Sequence, residues 1–185
     1  MFIFASNLYY KVMPLKKFAI NYGSILGLLL VLVSIILYVF GIDEKESIIP
    51  SLLNHVIMIF GITYSILQFR DIYSEGYINY SSSLKLGVSV AFFASVILTF
   101  YSYIFINFIH TEYIDEMIAF TEQTILSEDP EIADEILDTN LSMIRTMLEP
   151  QWFLPLGILG STFMGVIYSL IISFFVKRKD PNNLV

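Results

Sequence analysis

Between Phe18 and Phe40 the chain runs 23 residues, FAINYGSILGLLLVLVSIILYVF, without a charge. Three more stretches are built the same way. One spans 49–69, with Pro50 near its start and Arg70 just past its end. Another spans 84–109, with Lys85 in its first turn and no charge thereafter. The last spans 153–176 and is closed by Lys177-Arg178-Lys179. Each exceeds the roughly 20 residues that about 30 Å of hydrocarbon demands of a helix. The runs are continuous and do not alternate, so they read as helices and not as barrel strands. Hydrophobic residues make up 56% of the 185-residue chain and charged residues 15%, against about 45–50% and about 25% in soluble chains. A globule of this length could not hide that much apolar surface, which excludes a cytosolic fold. There is no cysteine, and with it go disulfide frameworks, thiol nucleophiles and Cys-based zinc sites. The expected fold is an all-α membrane protein: four transmembrane helices with an external amphipathic helical hairpin between the third and the fourth.

Lysine and arginine set the expected orientation. Lys11, Lys16 and Lys17 precede the first span, Arg70 and Lys85 flank the 70–85 connection, and three more follow the last span. The opposite side holds Lys45 and Arg145. The positive-inside bias then places both termini and the 70–85 loop in the cytoplasm. Tyr22 falls near the inner interface, and Tyr38, Tyr103 and Trp152 near the outer one, as aromatic belts do. The chain thus divides into an arm (1–17), three spans (18–109), an external segment (110–152), a fourth span (153–176) and a tail (177–185). The first span is too long for a signal-peptide core, and no small-residue cleavage site follows Phe40, so it is expected to stay as a helix. Met13 followed by Lys16-Lys17 would itself make an ordinary start. Residues 1–12 are therefore either upstream of the true initiator or a short interfacial arm.

In lipid, helices associate through close packing, and small residues permit it. Gly157, Ser161, Gly165, Ser169 and Ser173 recur every four residues in the fourth span. Ser83, Gly87, Ala91, Ser95 and Thr99 do so in the third. The first span has Gly23 and Gly27, and the second Gly61 and Ser65. Spans three and four are expected to meet along these stripes, or to self-pair between subunits.

The 110–149 segment holds eleven acids against the single base Arg145, a net of −10, while the whole chain is −7. Ile114, Met117, Ile118, Thr121 and Ile125 mark one amphipathic helix. Asp129-Pro130 reads as the start of a second, with Ile132, Ile136, Leu141, Ile144 and Leu148 on its apolar face and a stop at Glu149-Pro150. Helices that lie in headgroups usually carry Lys and Arg. This pair carries the opposite charge, so its apolar faces are expected against each other, the span ends or another protein.

Lys17-Phe18-Ala19-Ile20-Asn21-Tyr22-Gly23 opens the first span, and Gly61-Ile62 with Phe69-Arg70-Asp71 marks the second. Gly76-Tyr77-Ile78-Asn79-Tyr80 and Leu84-Lys85-Leu86-Gly87 follow. In this order and spacing the chain resembles, over roughly residues 14–180, the bacterial domain-of-unknown-function family numbered 4199. Relatives tend to have a Gly-Gln-Ala run where this sequence has Ser81-Ser82-Ser83. The resemblance implies a four-helix bacterial inner-membrane protein and no particular activity.

Chemistry is sparse. His55, beside Asn54 in the outer third of the second span, and His110, at the mouth of the third, are weak metal-ligand candidates together with Glu112 or Asp115. No HExxH-type spacing supports them. No acid lies deep in a span, as coupled transport would need. A phosphate-binding loop, a dinucleotide loop and a basic nucleic-acid face are all missing. Arg70-Asp71 with Tyr73, Tyr77 and Tyr80 offers a cytoplasmic docking surface as one reading, and the tyrosines read first as interface anchors of the loop. The expectation is a non-enzymatic structural, assembly or accessory protein with no cofactor. It would contact the bilayer, another membrane protein or itself, and no nucleic acid. Glu112, Asp115, Asp134, Glu135 and Asp138 are the candidates for partner or cation contact. The alternative is a small oligomeric channel or transporter with an acidic, cation-attracting mouth, its path lined by Ser95, Thr99, Ser161, Ser169 and Ser173.

Overall fold

The computed structural model describes residues 14–42 and 47–178. The question of Met1 or Met13 as initiator, and the charge on Lys45, lie outside them. Six α-helices follow in order: α1 (Leu15–Val39), α2 (Ile49–Tyr73), α3 (Tyr80–Ile104), α4 (Tyr113–Glu128), α5 (Asp134–Leu148) and α6 (Pro150–Val176). A π-helical turn, Phe105–Ile109, extends α3. The four helices long and apolar enough to cross a membrane are α1, α2, α3 with its π turn, and α6.

Helix ends follow local chemistry. Pro50 and Pro150 sit in first turns, where a missing N–H costs nothing. α3 begins at Tyr80, one turn before the expected Leu84, because Asn79 caps it: its Oδ1 accepts from the Ser82 N–H at 2.8 Å. α5 begins at Asp134 and not at Pro130. Residues 130–131 form a turn, and the Ala133 carbonyl accepts the first helical bonds from Ile136 and Leu137. At about 100° per residue, Leu137, Leu141, Ile144 and Leu148 then share one face. Ile136 lies a quarter turn away, 55% exposed, and Ile132 precedes the helix.

α3 is the centre of the bundle, flanked by α1 and α6, with α2 behind. A Cβ added at Gly23 would lie 2.7 Å from the Val90 carbonyl oxygen, and one at Gly27 would lie 3.0 Å from that of Ala94. The numbers rise together, so α1 and α3 run parallel. On the other face the numbers run oppositely. A Cβ at Gly157 would meet Thr99 Cγ2 at 2.8 Å, one at Gly165 would collide with Ala91 Cβ, and one at Gly87 would meet Ser169 Oγ at 2.6 Å. The antiparallel register sets Ser161 opposite Ser95 and Ser173 opposite Ser83. Gly61 admits the Leu26 side chain of α1. These approaches bring backbone against side chain at distances where dispersion is strongest, the main cohesive force available in lipid.

The bundle has two unlike ends. At the end holding Arg70, Lys177 and Arg178, Phe18 is buried among Tyr22, Phe69 and Tyr73, with ring centroids 4.1, 5.1 and 5.5 Å away. Arg70 donates to the Val176 carbonyl at 3.2 Å and to Asp71 at 2.7 Å, satisfying an orphan acceptor at the C-terminus of α6. Glu75 and Gly76 turn the chain through positive φ (52° and 83°). Ile78 and Arg178 then exchange two backbone hydrogen bonds of 3.0 and 2.8 Å. At the opposite end α4 and α5 pack together, and α5 also touches α6. Asp115 in the first turn of α4 reaches Arg145 in the last turn of α5 at 3.9 Å, so the pair runs antiparallel.

Candidate functional site

Two cavities occupy the half of the bundle nearer α4 and α5. The first, about 470 Å³, lies beneath that pair. Its roof is Tyr113 and Met117 of α4 with Leu148 of α5; its walls include Tyr38 of α1, Tyr101 of α3 and Phe153 of α6. The second, about 450 Å³, lies between α2 and α6 in front of Ser95 and Leu98 of α3. Asn54 lines both.

His55 stands at the second cavity, and Tyr168 of α6 holds it: the hydroxyl and Nδ1 are 2.8 Å apart. Counted from Ile49, His55 lies in the third of α2 nearer α4 and α5. The other helices place it deeper. Leu30, Ser95 and Ser161, which line the same cavity, lie near the midpoints of α1, α3 and α6 respectively. A polar ring at that level of the bundle needs a hydrogen-bond partner, and Tyr168 supplies it.

His110 ends the π turn, its N–H donating to the Phe105 carbonyl at 2.8 Å. Its ring lies among Tyr38, Phe105 and Tyr113, with centroids 5.9, 6.0 and 5.7 Å away, and Nε2 is 3.5 Å from Glu116. The carboxylate beside it is therefore Glu116 and not Glu112 or Asp115. Among the described residues no three His, Asp or Glu side chains gather as a metal group. The two histidines face different cavities and different partners.

The other expected site residues separate by place. Glu112 and Asp115 lie at the start of α4; Asp134, Glu135 and Asp138 lie in the first turns of α5, toward the opposite end of the antiparallel pair. All five are exposed. Ser95, Thr99, Ser169 and Ser173 are buried, and Ser95 and Ser161 line the second cavity. Ser95 donates to the Ala91 carbonyl at 2.8 Å. The hydroxyls of Ser83, Ser169 and Ser173 are buried with no hydrogen-bond partner among the described residues.

Sequence reading passed over Tyr168, Glu116 and the rings around His110. Spacing carries no trace of them, since each pair spans different helices or a π turn. A tyrosine at mid-span does need somewhere to direct its hydroxyl, and that signal was available for Tyr168.

The segments that carried the resemblance have structural duties. Gly76 turns the chain, Ile78 bridges to Arg178, Asn79 caps α3, and Gly87 admits Ser169. Over residues 21–178 the chain matches the family described as "Protein of unknown function (DUF4199)". It belongs to that family. The chain matches no curated protein and no solved structure. As a DUF4199 member with four apolar helices of spanning length, it is a multi-pass membrane protein.

Proposed function

We propose that this DUF4199 protein is a non-enzymatic accessory or assembly component of a bacterial inner membrane, with both termini cytoplasmic and the α4–α5 hairpin outside. The excess of Lys and Arg at one end of the bundle supports the orientation. The observation that carries the role is the division of labour in α4 and α5. Their apolar faces turn inward, with Ile118 and Leu137 buried, while Glu112, Asp115, Asp134, Glu135 and Asp138 stand exposed. That leaves an ordered, strongly acidic surface for a basic partner.

The test is crosslinking in cells, gentle detergent purification and mass identification of what accompanies the protein. Recovery of a reproducible partner should fall when Asp134, Glu135 and Asp138 are replaced by Asn, Gln and Asn. Recovery of self-crosslinked species alone would overturn the accessory reading and favour an oligomeric channel. Packing and pore also differ in labelling. Ser169 is fully buried opposite Gly87, so a cysteine there should resist a soluble thiol reagent, and rapid labelling would favour the pore.

A further inference from the structure

We propose that the two cavities, which share Asn54 in their walls, together form one binding site for an uncharged, membrane-dissolved lipid with a carbonyl or hydroxyl head group, entering sideways between α2 and α6. Among the described residues neither cavity is lined by Lys, Arg, Asp or Glu. A phosphate, carboxylate or ammonium head would be stripped of water there without a counter-charge, at a cost of several kcal/mol. An uncharged head meets no such penalty.

The polar groups present match such a head. Asn54 can both donate and accept. The His55–Tyr168 pair leaves one proton to donate in either tautomer. If the Tyr168 hydroxyl donates to Nδ1, the imidazole carries its proton on Nε2. If Nδ1 carries the proton and donates to Tyr168, the hydroxyl proton is free. A carbonyl or hydroxyl oxygen on the ligand is the natural acceptor. The rest of the lining is chiefly aliphatic and aromatic, suited to an apolar body, and each cavity falls within the roughly 300–1,000 Å³ of small-molecule sites.

The entrance is also visible. His55, Leu156 and Gly160 line the second cavity and are exposed, so it opens on the flank of the bundle, level with the middle of α3. A Cβ added at Gly160 would meet nothing within 4 Å. The one glycine on α6 at this flank that is free of a packing neighbour therefore stands at the opening.

Full-length protein in mild detergent is incubated with a short-chain ubiquinone, dioctanoylglycerol or dioctanoyl phosphatidate at equal concentration, and native mass spectrometry reads the retained lipid. One uncharged lipid per chain should be retained, and phosphatidate at least about tenfold less, the scale of one unmatched polar group. Retention of the quinone alone or of the diacylglycerol alone identifies which source supplies the shared chemistry. Gly160→Phe should reduce retention about tenfold or more while helicity and thermal midpoint stay unchanged. Asn54→Leu, which keeps the branching at Cγ and removes both polar atoms, should do the same from within. Retention of phosphatidate equal to the uncharged lipids would overturn the proposal. So would failure of all three to bind, or wild-type retention in both variants.

Discussion

The two halves of this bundle solve opposite problems with the same helices. Toward the basic end, α3 and α6 approach so closely that glycine and serine face one another, and the α2–α3 turn is tied to the end of α6 by Arg70 and by the Ile78–Arg178 bridge. Toward the acidic end α3 and α6 keep that contact, with Gly157 against Thr99, and space opens instead between α2 and α6 and beneath α4 and α5. α3 continues into a π turn, and α4 and α5 close over the first of the two cavities, while the second opens on the flank. Close packing along both faces of α3 thus stands beside open space next to α2 and beneath α4 and α5.

Glycines on α6 test the contrast most severely. Gly165→Leu, driven into Ala91, should destabilise by about 3 kcal/mol, measured by unfolding in mixed detergent. Ile167→Leu should change little, and Gly160→Leu, where space is open, should stay within about 0.5 kcal/mol. Equal effects at 160 and 165 would erase the distinction between the face of α6 packed on α3 and its open flank. Next comes Arg70→Ala, which removes the charged donor from the Val176 carbonyl and should cost about 2 kcal/mol. Hydrogen exchange should rise at the end of α6 and not in α4. Ser173→Ala is smaller and opposite in sign. Its hydroxyl is buried without a partner, so removing it should stabilise by about 1 kcal/mol in the same assay, and a loss of that size would mean the hydroxyl is bonded after all. Least of all should be Arg145→Ala. Its contact with Asp115 is 3.9 Å long between side chains 62% and 79% exposed, and the change should be within about 0.5 kcal/mol.

What could be read from the sequence follows from range. The four spanning helices rest on composition over 20 residues or more, a signal that tertiary context rarely overrides. The first amphipathic stripe, 114–125, sits on α4 with Ile118 buried, because 3.6-residue periodicity is local. The second slipped. Asp129-Pro130 offered an N-cap and a proline, but the face that packs begins at Leu137, and packing chose the register over the cap signal. Small residues spaced by four marked candidate faces without naming their neighbours; that Gly165 meets Ala91 and Gly23 meets Val90 is a matter of tertiary placement. His55 shows the limit most clearly. Counting along α2 put it in the outer third of the span, whereas α6 begins well before the level of His55, and the stagger between helices sets His55 beside the midpoints of the others. The cavities left no mark in the sequence at all, being spaces between helices.

The Ile78–Arg178 bridge has a consequence for the order in which the protein is made. α1 and α3 can find each other as soon as α3 leaves the ribosome. The second face of α3, with Gly87, Ala91 and Thr99, must wait for about 70 further residues, several seconds at roughly 5–20 residues per second. During that interval Ser83 and Ser95 face lipid, or whatever helix or chaperone stands beside them. Closure comes last, when residue 178 clears the exit tunnel and its backbone finds Ile78. A nascent chain stalled before α6 is complete should therefore be the species that insertion and quality-control factors hold longest.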